Sequence, residues 1–320
     1  MPDTDRLIDA HHHLWDLERR PQPWLDDPGH EPIRRTFGPG DLRSAAGRPV
    51  AGRRLATTVA VQCVPSVDET RDLLALAEEE ELIGAVVGWV DLTSAGAGDV
   101  LDGLLHGTGG RHLRSVRHLV QGEPDNGWLQ RAEVEAGLRE VAARGLGYDV
   151  LIRDHQFRQA IRLAERLPHL PLVLDHAGKP PIAAGELDDW ERGLRQLAAH
   201  PRVTCKVSGL VTEADHAAWA VADIRPVWNV LLDAFGPGRL MFGSDWPVCV
   251  LAGGWDRWAA TVEELLTDCS DEDVTAVLSG TASAFYGLSG SASTREKKKS
   301  VPMTERPHAG VRADHTRGTR

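Results

Sequence analysis

The sequence lacks the features of a membrane or secreted protein. No apolar run approaches the roughly 18–20 residues of a membrane-spanning helix, and no basic stretch followed by an apolar one opens the chain. There are only four cysteines, and no two of them form a Cys-x-x-Cys pair: Cys63, Cys205, Cys249 and Cys269. Neither a zinc ribbon nor a dense disulfide framework is therefore expected, and we predict a cytoplasmic protein with reduced thiols.

Positive charge is scarce in most of the chain. The 320 residues carry a formal net charge of −11, but residues 289–320 have eight Lys or Arg against three Asp or Glu, which leaves −16 for residues 1–288. An acidic body repels phosphate backbones, so nucleic acid is not expected as a partner. Residues 289–320 are polar and lack periodic apolar positions. We predict a disordered basic tail that follows a domain of residues 1–288.

The alternation of short and long hydrophobic patterns predicts the fold. Short β-branched runs fall at 7–11, 58–64, 85–91, 115–120, 148–152, 172–176, 203–208 and 240–245. Amphipathic stretches lie between them, among them 67–82, 129–144, 157–167, 187–200 and 255–268. Several strands are apolar on both faces, as expected for parallel strands covered by helices. The pattern predicts an α/β protein, a distorted (β/α)8 TIM barrel, with a doubly wound open sheet as the alternative.

The first connection is unusually long for a loop between a strand and a helix. Residues 14–54 are rich in Pro and Gly and include Trp15 and Trp24. Because aromatic side chains favour a folded segment, we predict a loop insertion after strand one that forms a lid.

A histidine-rich motif, Ile8-Asp-Ala-His-His-His13, leaves the first predicted strand. Alternate side chains of a strand share a face, so His11 and His13 should project together while His12 points away. Two imidazoles that meet at one point form half of a metal site. Three adjacent histidines are also compatible with an ordinary surface, so this interpretation requires further ligands.

Two candidate ligands end other strands. His176 follows predicted strand six in Leu-Asp-His-Ala-Gly-Lys-Pro, and Asp245 follows strand eight in Gly-Ser-Asp-Trp-Pro. Strand ends one, six and eight share the carboxyl rim of a barrel, so these side chains are expected to meet His11 and His13 there. Taken singly, His176 is compatible with a hydrogen-bonded loop histidine and Asp245 with a helix N-cap.

Together these motifs resemble the amidohydrolase superfamily, and within it the amidohydrolase-2 branch of sugar lactonases of the L-fucono-1,5-lactonase and L-rhamnono-lactonase type. The similarity covers about residues 6–287 and rests on five segments: DAHHHLWD from Asp9, VRHLVQ from Val116, LDHAGKP from Leu174, CKVSGL from Cys205 and MFGSDWPVC from Met241. It implies a distorted TIM barrel that hydrolyses a lactone or related ester with water. It also implies that the metal- or water-binding positions are His11, His13, His176 and Asp245.

The chain departs from many members of that superfamily, which bridge two metal ions with a lysine at the end of strand four. Strand four here carries Arg117 and His118, and the only lysines before residue 289 are Lys179 and Lys206, both further along the chain. We therefore expect one divalent ion, with zinc preferred, rather than two.

The resulting hypothesis assigns the ion to three imidazoles and the proton transfer to Asp245. His11, His13 and His176 would hold the ion. Asp245 would accept a proton from water and pass it to the ring oxygen of the lactone. His176 and Asp245 are thus the candidate catalytic residues.

Five further residues are candidate substrate contacts. Arg117 and His118 are adjacent on a strand, so at most one faces inward; a structural ion pair is the alternative for Arg117. Trp15 and Trp246 flank the ligand motifs, where an indole can stack on a sugar ring. Lys206 lies within strand seven and reaches either the rim or the outer surface.

Two other functions remain compatible with the sequence. One is a decarboxylase or a pyrone-dicarboxylate-like lactone hydrolase, whose acidic substrate calls for more than one rim arginine. The other is a non-catalytic barrel that binds a small ligand, although such a scaffold does not need all four of His11, His13, His176 and Asp245. The expected partner is a small lactone. The sequence does not decide between a monomer and a homo-oligomer.

Overall fold

The computed structural model describes residues 5–288 and shows an eight-stranded sheet whose strand order follows the sequence. All seven neighbouring pairs are parallel. The strands are β1 (Arg6–His12), β2 (Arg54–Val61), β3 (Ile83–Gly88), β4 (Leu113–His118), β5 (Gly147–Val150), β6 (Leu172–Leu174), β7 (Val203–Val207) and β8 (Leu240–Phe242). Beyond the end of β8, a bridge between His12 and Trp246 joins this edge to β1. The barrel prediction is therefore confirmed.

Helices pack against this sheet, most of them on its outer face. They are α1 (Pro39–Ala45), α2 (Val67–Glu79), α3 (Ala97–His106), α4 (Ala132–Ala143), α5 (Phe157–Arg166), α6 (Asp188–Ala198), α7 (Val221–Phe235), α8 (Gly254–Leu265), α9 (Asp271–Thr275) and α10 (Thr281–Tyr286). A helical segment was expected after every strand, but the amphipathic stretches given bounds above do not include α3 or α7. The glycines of α3 and the internal Pro226 of α7 weaken the helical signal, and burial against the barrel overrides them.

The side chains of the strands divide into two hydrophobic clusters. Alternate residues such as Val59, Val61 and Met241 form a small inner cluster with Tyr286 of α10. The intervening residues pack against the helices in a much larger outer cluster. Each strand is therefore buried on both faces, as the continuous apolar runs of the sequence predict.

A bulge in β1 determines which histidines face the barrel interior. Asp9 pairs with Thr58 and His12 pairs with Ala60, so β1 has one residue more than β2 between these pairs. Ile8 lies in the inner cluster, and strict alternation from it would turn His12 inward. The extra residue reverses the alternation, so His12 faces outward, where its Nε2 lies 2.9 Å from Oγ1 of Thr58.

The insertion after β1 is folded. It contains two short 3-10 turns, Pro23–Asp26 and Glu31–Ile33, followed by α1. Trp15 and Phe37 form an antiparallel bridge across its base. Arg20 ties the insertion to α2, because its guanidinium donates to Asp72 at 2.9 Å. The predicted tail, residues 289–320, lies outside the described residues. Within residues 5–288, no helix is both long and apolar enough to cross a membrane.

Candidate metal centre

A cavity of about 460 Å³ opens at the carboxyl ends of the strands. Polar side chains from strand ends lie in its lining: His13, Arg117, His176 and Asp245. The connecting segments supply further lining residues, among them Trp24, His30, Gln121, Arg153, Lys179, Glu213 and His216. The cavity thus combines a group of potential metal ligands with a polar wall that includes one tryptophan.

His11 and His13 form one side of the metal-ligand group. Nδ1 of His13 lies 2.8 Å from the carbonyl oxygen of Val61. A carbonyl can only accept, so Nδ1 carries the proton and the lone pair of Nε2 is free. That Nε2 atom faces Nε2 of His11 at 3.2 Å.

Asp245 and His176 complete the group from the segments that follow β8 and β6. Oδ1 of Asp245 lies 3.5 Å from Nε2 of His13, 3.8 Å from Nε2 of His11 and 3.9 Å from Nε2 of His176. Nδ1 of His176 lies 2.9 Å from the hydroxyl of Ser208, which orients the ring. Both His176 and Asp245 have left-handed backbone conformations, with φ of 52° and 55°. Such conformations cluster at functional sites.

Burial and neighbouring charges set the protonation of the group. Burial lowers the pKa of His176 to about 4. Burial and the nearby ammonium of Lys206 hold the pKa of His11 well below its usual range. Burial alone would raise the pKa of Asp245, but His176 and His13 outweigh it and lower that pKa below its ordinary value. Near neutral pH the imidazoles of His11 and His176 are therefore neutral beside the ionised carboxylate of Asp245.

This set of donors fits a zinc ion. The ligand atoms of His11, His13 and Asp245 all lie within 4.8 Å of one another. Ligands about 2.0–2.1 Å from a tetrahedral zinc ion are about 3.3–3.4 Å apart, close to the separations seen here. Imidazole nitrogen and carboxylate oxygen are also the donors that zinc prefers in open sites.

A cluster of buried charges lies directly beneath His11. Nζ of Lys206 is 3.1 Å from Nδ1 of His11, 3.0 Å from Oδ1 of Asp175 and 2.5 Å from Oδ2 of Asp149. Nη1 of Arg117 lies 3.0 Å from Oδ2 of Asp175. Burial would raise the pKa of Asp175, but Lys206 and the other positive neighbours lower it well below its usual range. Two cations and two carboxylates are thus enclosed together.

Among the five predicted substrate contacts, Arg117 lines the cavity, whereas His118 and Lys206 do not. His118 follows Arg117 on β4 and so faces outward, where it stacks on Trp128 with ring centroids 3.9 Å apart. Lys206 has no exposed surface, because its side chain points into the barrel below the rim. The structure therefore corrects both assignments: His118 supports the outer loop, and Lys206 neutralises buried carboxylates.

Trp15 and Trp246 also lie away from the cavity. The indole N–H of Trp15 donates to the backbone oxygen of Arg35 at 2.6 Å, and the ring is buried within the insertion. The ring of Trp246 packs edge-on against Phe37 at 5.2 Å. The chain turns outward immediately after His13 and Asp245, so the tryptophans that follow them point away from the cavity. Both tryptophans instead anchor the insertion to the barrel.

Two residues outside the predicted set of site residues, Asp175 and Trp24, are prominent in the structure. Asp175 belongs to the charge cluster. Two features of the sequence could have indicated it: it precedes His176 at a strand end, and a buried arginine needs a counter-charge. Trp24 reaches the cavity from the insertion, and no local pattern distinguishes it from the other tryptophans.

Comparison with known proteins identifies the family. The amidohydrolase family profile matches residues 8–288. An L-fucono-1,5-lactonase of Burkholderia ambifaria is 36% identical over 285 residues, which cover 88% of this chain and 95% of that protein. An L-fucono-1,5-lactonase of Burkholderia multivorans is 38% identical over 292 residues, covering 88% and 96%.

A solved structure agrees with this assignment. The crystal structure of an amidohydrolase from Burkholderia multivorans with bound zinc is 38% identical and superposes with a TM-score of 0.81, covering 88% of this chain and 99% of that one. The chain therefore belongs to the amidohydrolase family, and relatives that match nearly all of its described part are sugar lactonases.

Proposed function

We propose that this chain hydrolyses the lactone of a sugar acid to the open hydroxy acid, with one zinc ion in the site formed by His11, His13, His176 and Asp245. The observation that carries this proposal is the meeting of His11, His13 and Asp245 beside a cavity large enough for a sugar ring, with Nε2 of His176 3.9 Å from Oδ1 of Asp245. The L-fucono-1,5-lactonase relatives and the zinc-containing relative support it.

The imidazoles of His11, His13 and His176 would hold the ion, with Asp245 as a further ligand or as the base beside it. When bound, a divalent ion lowers the pKa of water from about 15.7 to about 7 and polarises a carbonyl oxygen. The lowered pKa values of His11 and His176 suit this role, because a protonated ring has no lone pair to offer.

Asp245 is the group best placed to move the proton. Its carboxylate is ionised at neutral pH, because neighbouring imidazoles lower its pKa, and it lines the cavity. We assign it the proton that water loses as its oxygen bonds to the lactone carbonyl carbon. As the bond from that carbon to the ring oxygen breaks, Asp245 returns the proton to the departing oxygen.

Arg117 is the candidate substrate contact. Asp175 and the backbone oxygen of Gln62 fix its guanidinium. Its buried Nε has no hydrogen-bond partner among the described residues. A guanidinium held in this way can donate to the carbonyl or a hydroxyl group of the lactone without reorganising.

The charges around the site favour one ion. A second possible ligand group consists of His11, Asp175 and His176. However, the ammonium of Lys206 already lies 3.1 Å from Nδ1 of His11 and 3.0 Å from Asp175. The side chain of Lys206 thus supplies a positive charge where a second metal ion would have to lie.

The charge pairing also favours an uncharged polyol lactone over an acidic substrate. Arg117 pairs with Asp175, and Lys179 pairs with Glu213 at 2.6 Å. These cations are therefore less available to a substrate with several carboxylates.

The test is a panel of aldonolactones assayed with a pH indicator, with the protein loaded with zinc or stripped by a chelator. Acid release that requires zinc supports the proposal. Release of carbon dioxide from an aromatic acid would favour the decarboxylase instead. If the protein hydrolyses no lactone of the panel and binds no metal, the remaining function is that of a non-catalytic barrel that binds a small ligand.

The Asp245→Asn variant tests the proposed base. We expect turnover of the accepted lactone to fall by about 100-fold or more, because an amide cannot accept the proton. In the zinc-free protein the thermal unfolding midpoint should change little, since Asn has the same shape. A near-normal rate in this variant would remove Asp245 from the reaction.

A further inference from the structure

Trp24 is the tryptophan of the insertion that reaches the active-site cavity. Its ring meets Trp15 edge-on at 5.4 Å and His30 edge-on at 5.5 Å. The indole is only partly buried, so part of it remains available to a ligand. These contacts hold the ring from two sides within the wall of the cavity.

A set of buried polar contacts fixes the orientation of this ring. The indole N–H of Trp24 donates to Oε1 of Gln22 at 3.0 Å. The side chain of Gln22 is 5% exposed and lies beside the carboxylate of Glu69 of α2, with which it interacts. Oε2 of Glu69 accepts the backbone N–H groups of Cys63 and Val64 at 2.9 and 3.0 Å. The ring is thus tied to α2 and to the segment that follows β2.

His30 extends the same wall. Its Nδ1 lies 2.9 Å from the backbone oxygen of Trp24. Since a carbonyl only accepts, Nδ1 is the donor, and in the neutral ring Nε2 remains an acceptor. His30 also lines the cavity. The wall therefore combines an aromatic surface with a hydrogen-bond acceptor.

This pairing matches the surface of a sugar lactone, which has an apolar face of C–H groups bordered by hydroxyls. The indole N–H is already used by Gln22, so the free part of the ring offers apolar contact. We propose that Trp24 packs against the C–H face of the lactone ring, that His30 accepts a hydroxyl, and that Gln22 and Glu69 act as positioning residues through Trp24. The inference rests on the proposed lactonase function for the identity of its ligand.

The first test compares Trp24→Leu and Trp24→Phe in the zinc-loaded protein with L-fucono-1,5-lactone. The wall is a binding element and not a reacting group, so Trp24→Leu should raise KM about tenfold and change kcat less than about twofold. Trp24→Phe should fall between this variant and the parent. Leu17→Ala is the matched control, because Leu17 lies in the same insertion outside the cavity lining.

The second test addresses Gln22. Gln22→Met keeps the length of the side chain and removes the acceptor of the indole N–H, so KM should rise about threefold. In the Trp24→Leu background the same change should have no further effect on KM, because Gln22 acts through the indole. Equal effects in both backgrounds would show that Gln22 has only a structural role. Zinc content and unfolding midpoint verify that each variant is folded.

Calorimetric binding of L-fuconate separates this inference from the proposed function. If the parent protein lacks turnover but binds L-fuconate in a Trp24-dependent way, the sugar wall stands and the lactonase assignment falls. If the parent hydrolyses the lactone while Trp24→Leu leaves KM and the Kd for L-fuconate unchanged, the sugar wall is refuted. The absence of both turnover and binding in the parent overturns both.

Discussion

Asp175 balances the charges beneath the metal centre. It accepts from Arg117, lies 3.0 Å from the ammonium of Lys206, and lies 3.4 Å from Nδ1 of His11. None of its side chain is exposed. One carboxylate therefore contacts both a proposed metal ligand and the arginine proposed to bind substrate.

Replacing Asp175 with Asn should cost about 3–5 kcal/mol of unfolding free energy, because a buried positive charge loses its partner. Urea unfolding measures this loss. The control is Asp175→Asn combined with Arg117→Met, which removes the guanidinium that lost its partner and keeps the pair of Lys206 with Asp149, so it should recover part of the stability. If Asp175→Asn alone is as stable as the parent, the buried charge cluster beneath His11 is not held together by its charges.

The four proposed metal ligands could be predicted from the sequence because they follow strand ends, and a barrel brings strand ends together. The charge cluster could not. Whether Lys206 points at solvent or at His11 depends on its depth in the barrel, which the sequence does not give. His11 faces inward because of a bulge in β1, and no residue pattern in β1 predicts that bulge. Arg117 and His118 were correctly limited to one inward side chain, but alternation alone did not say which.

At the scale of elements, the turn after β7 holds two of the proposed ligands in place. Gly209 has φ of +60°, and a Cβ atom there would lie 2.5 Å from Nδ1 of His176 and 3.1 Å from Oδ2 of Asp245. Only a glycine fits this approach, because both neighbours are confined by other contacts.

Gly209→Ala should therefore displace His176 and Asp245, lower turnover by about 100-fold, and weaken zinc binding. The control is Gly185→Ala, where φ is +71° but nothing lies within 4 Å of the added methyl group. That variant should lose only about 1 kcal/mol of stability from the left-handed backbone and keep its activity. Equal activities of the two alanine variants would contradict the proposed role of the turn.

The strands and most of the helices could be predicted because a fixed hydrophobic period reflects burial on fixed faces. The insertion could be recognised by its length and composition, but its internal structure could not be predicted. Its turns depend on contacts that are distant in sequence, such as those of Arg20 with α2 and of Trp15 with Phe37.

For the whole molecule, the proposed metal site connects binding to stability. Its ligands come from the ends of β1, β6 and β8, and the bridge between His12 and Trp246 lies beside it. An ion held there links the first and last strands of the barrel. Unfolding separates these strands and releases the ion.

We therefore expect zinc at 100 times its Kd to raise the unfolding free energy by about 2.7 kcal/mol, and a chelator to remove this gain. Thermal unfolding of the stripped and reloaded protein measures the effect. His13→Asn should abolish most of the zinc-dependent shift. An unchanged midpoint after complete loading would mean that the ion is not bound preferentially by the folded barrel.

Because Trp24 is attached to α2, the residues proposed to bind the sugar and those proposed to carry out the reaction lie in separate stretches of the sequence. The proposed chemistry belongs to short motifs at strand ends, whereas the proposed contact with the sugar belongs to residues 22–30 and their anchor on a neighbouring helix. Such a division would let substrate preference change while the reaction is preserved. Transferring the insertion to another barrel would transfer the sugar preference only if a glutamate equivalent to Glu69 of α2 were introduced as well.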